Sequence, residues 1–302
     1  MINFLLIHFS PGDPVKILTG MDHPSPAMEA ELRQKYGLDQ PLSTQFISYI
    51  GNLLKGDLGT SYNYHLPVSQ IILNRLGPTA LLALTSAILA LILGTLLGLF
   101  VSRYQGRLMD KMLNGLSYFF YSMPAFWLGL MIIFIFSTWL KILPTSGMIN
   151  MRQSAIGAGY IVDVIRHMIL PVGTLTIIQI PVYMRIFQTS VYQTKNEEFI
   201  TTFRAVGLSE KKIFRRYVLR NSILPTITVF GINLAYTVMG AALIEIVFAW
   251  PGVGRLMLEA ISRRDYPLLM GIYLMLSISV AVFMVITDVV YALVDPRIRY
   301  NK

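Results

Sequence analysis

The sequence predicts an all-α, polytopic membrane protein. Three observations carry that expectation: a low share of charged residues, long runs with no charge at all, and an uneven spread of Lys and Arg over the segments between the runs. Of 302 residues, 54% are hydrophobic and 14% charged, where soluble domains carry about a quarter charged residues. A net charge of +9 taken alone would also suit a nucleic-acid binder. In so apolar a chain it suits a membrane protein whose cytoplasmic loops collect Lys and Arg, and no nucleic-acid partner is expected. The chain has no cysteine, which excludes disulfides, thiolate metal sites and cysteine nucleophiles. No signal-peptide cleavage pattern opens it.

A helix needs about 20 apolar residues to cross the hydrocarbon core. Residues 76–102, 112–140, 221–244 and 266–287 form runs of 27, 29, 24 and 22 without Asp, Glu, Lys or Arg. A fifth run, 167–184, has 18, and uncharged chain resumes after Arg185 from Ile186 to Thr194. Five full spans follow, at about 78–102, 114–140, 168–193, 223–247 and 268–292. Pro124 and Pro181 fall inside spans and are expected to interrupt them. The opening MINFLLIHF is apolar but too short to cross, and reads either as a re-entrant stub or as part of a first helix. The polar stretch from Ser10 to Arg75 opens with SPGDP and holds two short helices, 27–36 and 41–55. In the second, Leu42, Phe46, Tyr49, Ile50 and Leu53 recur at helical spacing, a face suited to packing on neighbours.

The loops set the orientation. Residues 103–111, 195–220 and 297–302 carry 13 Lys and Arg in 41 positions, whereas 11–75, 141–166 and 251–267 carry 11 in 108. The denser set is expected inside the cell, which makes 11–75 extracellular and the tail at 295–302 cytoplasmic.

The most unusual cytoplasmic segment is RAVGLSEKKIFRRYVLRNSILP, residues 204–225, basic and helix-patterned between two oily runs. Ser209 is placed to cap a helix, with Glu210 in its first turn. Ile213, Phe214, Tyr217 and Val218 then form one apolar stripe, with Lys212, Arg215, Arg216 and Arg220 around the rest. Upstream, Phe199, Phe203 and Val206 mark a second helical face that ends at Gly207, a residue suited to a tight turn. Such a segment lies on anionic lipid, acts as a calmodulin-like target, or docks an intracellular partner through its apolar face.

Several motifs in order support a family resemblance. EFITTFRAVGLSEKKIFRRYVLRNSILP resembles the coupling loop of ABC-importer permeases of the dipeptide, oligopeptide and nickel family. SPGDP, YGLDQPLSTQF, GDLGTSY, FAWPGVGRLMLEAISRRDYP and DPRIR resemble the rest of that family, so the likeness covers nearly the whole chain. It implies a type I ABC importer permease fold with six spanning helices, so that residues 1–10 become a partial first helix ahead of the five full ones. It implies a permease domain over 76–294 with a coupling loop at 195–222. It further implies a second, homologous permease, two cytoplasmic ABC ATPases that bind the ATP, an extracellular solute-binding protein, a prokaryotic cell membrane, and peptides, nickel or metal chelates as cargo. Phe199, Phe203, Arg204, Ala205, Gly207, Leu208, Ile213, Phe214 and Tyr217 become the candidate coupling residues. The sequence departs from the general permease signature, which has an acidic residue and two alanines six, five and four positions before the glycine. Thr201, Thr202 and Phe203 stand there. Arg220 also stands where that signature has proline. The first departure weakens any simple acidic contact to the ATPase.

Catalytic and cofactor motifs are missing. No G-x-x-x-x-G-K-[ST] loop occurs, so no nucleotide site and no cofactor are expected in this chain. His8, His23, His65 and His167 are scattered without metal-ligand spacing, and no metal site or enzyme activity is expected. Glu245 and Asp288 are ionisable groups in or near spans, which serve either as helix–helix ties or in a pathway. Gln179, Asn233 and Tyr236 divide between the same two roles. Phe248 and Trp250 suit an interfacial aromatic belt, while the resemblance places their loop near an outer gate. A self-sufficient secondary transporter would tend to show an internal repeat, and a membrane-embedded enzyme a polar cluster at one face. Neither pattern stands out.

Overall fold

The computed structural model describes residues 25–35, 39–150 and 157–294, and leaves aside some side chains within them, including those of Tyr236 and Asp288. The expectations for 1–10, for SPGDP and for the tail at 295–302 lie outside the described residues. Apart from one β-bridge, Thr60 to Pro67, no strand occurs among the described residues. The helices are α1 (Pro26–Lys35), α2 (Leu42–Leu54), α3 (Val68–Val101), α4 (Leu108–Tyr121), α5 (Ala125–Ile133, extended by a π-turn over Phe134–Trp139), α6 (Ala158–Lys195), α7 (Glu198–Ala205), α8 (Glu210–Ile213), α9 (Leu219–Val247), α10 (Val253–Ser262) and α11 (Tyr266–Val294).

Among the described residues α3, α6 and the Tyr266–Thr287 part of α11 are each long and apolar enough to cross a membrane. Helix α9 has 29 residues and contains the run 221–244, so at 1.5 Å per residue it too has the length of a span. The span expected at 114–140 is not one straight helix: α4 and α5 meet at a 98° bend. Pro124 stands at the break as the cap of α5; it has no N–H to donate and disfavours helical geometry in Met123 before it. Pro181 behaves otherwise. It lies, with Pro171, inside the uninterrupted 38-residue α6, so the expected interruption is absent. Both prolines are buried, and packing against neighbouring helices tolerates the one lost hydrogen bond that each imposes. Helices α3 and α6 begin about ten residues earlier than the uncharged runs and carry Arg75, Asp163 and Arg166 in their added turns. A helix does not have to stop where the hydrocarbon does.

The described residues form two compact units, one of those up to Gly77 with Pro251–Ile278, the other of those between Pro78 and Trp250 with Ser279–Val294. The first is built on Val68, Ile71, Ile72, Val253, Leu256, Leu268 and Ile272. The buried carboxylate of Asp265 organises its polar part. It accepts from the Ser61 hydroxyl at 2.5 Å, from the backbone N–H groups of Tyr62 and Asn63 at 3.2 and 3.0 Å, and from Leu268 N–H at 3.3 Å in the first turn of α11. Nearby, the Tyr64 hydroxyl donates to Glu259 at 2.8 Å.

In the second unit α6 packs against α4, α5 and α9. Its approach to α3 depends on GTLLG, residues 94–98. A Cβ on Gly94 would stand 2.7 Å from that of Tyr183, and one on Gly98 2.5 Å from the Met184 carbonyl oxygen. Two small residues four apart let the backbones meet, as is common between helices in membranes.

Candidate functional site

The basic segment folds as two helices around a turn. Helix α7 ends at Ala205, and Gly207 takes φ +78° with nothing within 4 Å of where its Cβ would be. The glycine is therefore needed for its backbone angle and not for a close approach. Its N–H and that of Leu208 donate back to the Arg204 and Phe203 carbonyls, which closes the helix. Ser209 occupies the cap position of α8, though its hydroxyl makes no capping bond. Its carbonyl accepts from Lys212 and Ile213 instead. Helix α8 then runs through a π-turn, Phe214–Val218, directly into α9, so no loop separates the basic segment from the next long helix.

The sequence pattern leaves open where the apolar stripe points, and the structure answers. Ile200, Ile213 and Val218 are buried with Phe187 and Val191 of α6, and Phe203, Leu208, Phe214 and Tyr217 pack around them. The Phe203 ring lies 4.2 Å from that of Tyr217 and 5.9 Å from that of Phe199. Of the residues proposed for coupling, Ile213 is 1% exposed and already has its partners within the chain. Left exposed are Phe199 (37%), Val206 (72%), Arg204, Ala205 and Gly207, with Thr201 and Thr202 beside them. Arg204 reaches across the turn to Glu210, its Nε donating to Oε1 at 2.6 Å. That bond holds the Glu210 carboxyl below the ordinary carboxylate value and raises the Arg204 guanidinium.

The intramembrane candidates are scattered over the chain. Glu245 is fully buried and accepts from the Thr79 hydroxyl at 2.7 Å. Trp250 is also fully buried, its indole N–H donating to the Pro78 carbonyl at 2.9 Å and its backbone N–H to Glu245 O at 2.8 Å. With Phe248 buried as well, the aromatic-belt expectation for this pair is corrected: they are core residues, packed with Leu82, Leu128 and Ile244. Gln179 turns back on its own helix and donates to Leu175 O. Asn233 is half-buried on α9, one turn from Phe230, whose ring faces Tyr183 of α6 at 6.3 Å. Tyr236 lies on α9 and Asp288 on α11, with their side chains outside the description.

The structure also assembles a polar group that the charge-free-run reading passed over. The Asp110 carboxylate of α4 accepts from Gly106 N–H at 2.9 Å, from Asn114 at 2.6 Å and from Gln188 of α6 at 2.8 Å, and Gln188 also meets the Tyr192 hydroxyl. One turn away Arg185 sits over the Tyr118 ring at 5.4 Å. A lone Arg splitting an otherwise uncharged 28-residue stretch was the available signal.

Long apolar helices and a basic two-helix loop packed as the base of one of them define a multi-pass α-helical membrane protein. The comparisons narrow that class. Residues 90–300 match the family model for the binding-protein-dependent transport system inner membrane component. The dipeptide transport system permease protein DppB of Escherichia coli K12 is 33% identical over 100% of this chain and 94% of its own length. The di/tripeptide permease DppB of Pseudomonas aeruginosa UCBPP-PA14 is 34% identical over 100% and 94%, and the glutathione permease GsiC of Salmonella paratyphi A 35% over 99% and 92%. Among solved structures, an inward-facing MetNI methionine ABC transporter aligns with TM-score 0.59 over 75% of this chain and 97% of that one, at 15% identity, a likeness of fold alone. The chain belongs to the binding-protein-dependent transport inner-membrane family: it is an ABC-importer permease of the peptide branch, with the type I importer fold.

Proposed function

We propose that this chain is one of two permease subunits of an ATP-driven importer for short peptides, with 198–218 as the contact to a cytoplasmic ATPase. The observation that carries the coupling role is the continuity of α8, the π-turn and α9. A displacement that reaches Glu210 has no break in the helix in which to dissipate before it reaches α9. The core of Ile200, Ile213 and Val218 against α6 makes the loop a rigid foot for two long helices. The exposed Phe199, Arg204, Ala205, Val206 and Gly207 are the contact surface, and the buried Ile213 and half-buried Phe203, Leu208, Phe214 and Tyr217 are its support. ATP binding to the partners would shift the helices between outward- and inward-open states through the difference in their contacts with this foot. The peptide cargo rests on the names of the relatives. Nickel or metal chelates form a second reading, weaker because the relatives' names speak of dipeptides, di/tripeptides and glutathione.

The reading is tested in proteoliposomes with this chain, its partner permease, the two ATPases and the binding protein. ATP-dependent uptake of labelled alanyl-alanine is expected, with no uptake of nickel. Uptake without ATP, driven by an ion gradient, would make the chain a secondary transporter and sink the proposal.

A further inference from the structure

Between α4 and α6 lies a cavity of about 220 Å³. Its polar lining is Asn114, Ser117, Tyr118, Tyr121 and Arg185, and its apolar wall comes from the α6 stretch beginning at Pro181. Arg185 directly follows an 18-residue uncharged run and stands ten residues inside the end of α6. The side chain is exposed, so the cavity it lines is open to what surrounds the helices. Among the described residues Arg185 has the Tyr118 ring and no carboxylate. The nearby acid on the facing helix, Asp110, is already engaged by Gly106, Asn114 and Gln188. A guanidinium placed over a ring still has N–H groups to donate, and a pair of them can bind a carboxylate with two parallel hydrogen bonds.

We propose that this cavity receives the terminal carboxylate of the transported peptide, with Arg185 as its cation and Tyr118, Tyr121 and Asn114 bounding the space. The proposal rests on the peptide-importer reading. The volume falls below the roughly 300–1,000 Å³ of sites that enclose a drug-sized ligand, so the site takes one end of a peptide and not the whole. That suits a stepping place in transport, where tight enclosure would slow release.

The test uses the assembled transporter in nanodiscs without binding protein. Because this chain has no cysteine, a Ser117→Cys substitution puts one thiol in the cavity, and maleimide labelling of this chain is followed by mass. Millimolar alanyl-alanine is expected to slow labelling at least threefold. Its C-terminal amide should have little effect, and Arg185→Gln should abolish the protection. Arg185→Lys, which keeps the charge but not the fork, should retain part of it and decides the matter if the Gln variant does not assemble. Equal protection by acid and amide, or protection undiminished in both variants, overturns the site. So does labelling that follows phosphatidylglycerol content and ignores the dipeptide, which would mark a lipid headgroup site. Uptake by the unsubstituted transporter with its binding protein separates the site from the peptide reading. Peptide uptake without protection removes only this site, whereas absence of any peptide uptake removes the peptide reading and the site together.

Discussion

Gly207 and Asp265 show how much one residue can carry. At φ +78° with open space around it, Gly207 is held by backbone conformation alone. Gly207→Ala is expected to cost about 1–2 kcal/mol locally, the usual penalty of the left-handed region for an L-residue. The subunit should still insert, and uptake should fall while ATPase co-purification weakens; unchanged values for both would show that the turn tolerates another geometry. Asp265 is a different case, because five donor groups converge on one buried carboxylate. Asp265→Ala leaves them unpaired at about 1–3 kcal/mol for each that stays buried. The thermal melt of the solubilised subunit should drop well below that of Gly207→Ala. At Glu210 the sign of the pH effect follows from its lowered carboxyl value. The pair's contribution is present above the ordinary carboxylate range of about 4.3 and is lost only as pH falls through the lowered value. Glu210→Gln should therefore leave the shape of the uptake profile between pH 5.5 and 8 unchanged.

At the scale of elements, two interfaces decide the permease. Helix α3 meets α6 through Gly94 and Gly98, and a Cβ at 98 would lie 2.5 Å from a backbone oxygen that no rotamer can move. Gly98→Val should cost at least the 1–3 kcal/mol typical of overpacking, read as lost expression or an early melt; Gly115→Val, where a Cβ meets nothing within 4 Å, is the control. The second interface is the foot formed by α7 and α8. Phe203 sits against Tyr217 inside this chain, so Phe203→Asp places a charge in an internal apolar contact and should damage stability and coupling together. Val206→Asp, at a position 72% exposed, should damage coupling alone. Neutralising Arg215 and Arg216 together, both exposed, should matter least. If that double variant alone loses uptake, the loop lies on lipid and does not serve as an ATPase contact.

For the molecule as a whole, the expectation is a permease with no energy source of its own. Purified without its partners, the chain should hydrolyse no ATP above the level of a mock preparation, since it has no phosphate-binding loop. Orientation is checked on the same cysteine-free background. An impermeant thiol reagent should label Ser43→Cys but not Ser209→Cys in intact cells, and the reverse pattern would invert the topology derived from loop charge.

The sequence by itself determined the helical membrane class, the approximate position of the long helices and the family, because these depend on composition, uncharged run length and local motifs. Gly207 was legible for the same reason: a turn between two helical patterns needs a residue free to take positive φ. Partner choice within the fold was not legible. Pro124 and Pro181 are the same residue type in similar runs, yet one marks a 98° bend and the other lies in an unbroken helix, because only the surroundings decide whether a lost hydrogen bond is tolerated. The stripe at 213–218 has the same periodicity whether it faces a partner or its own core, and Trp250 reads as a belt residue until its indole is seen on Pro78. Arg185 meets Tyr118 across 67 positions of chain. Periodicity along one helix carries no information about which second helix comes to face it; packing decides that.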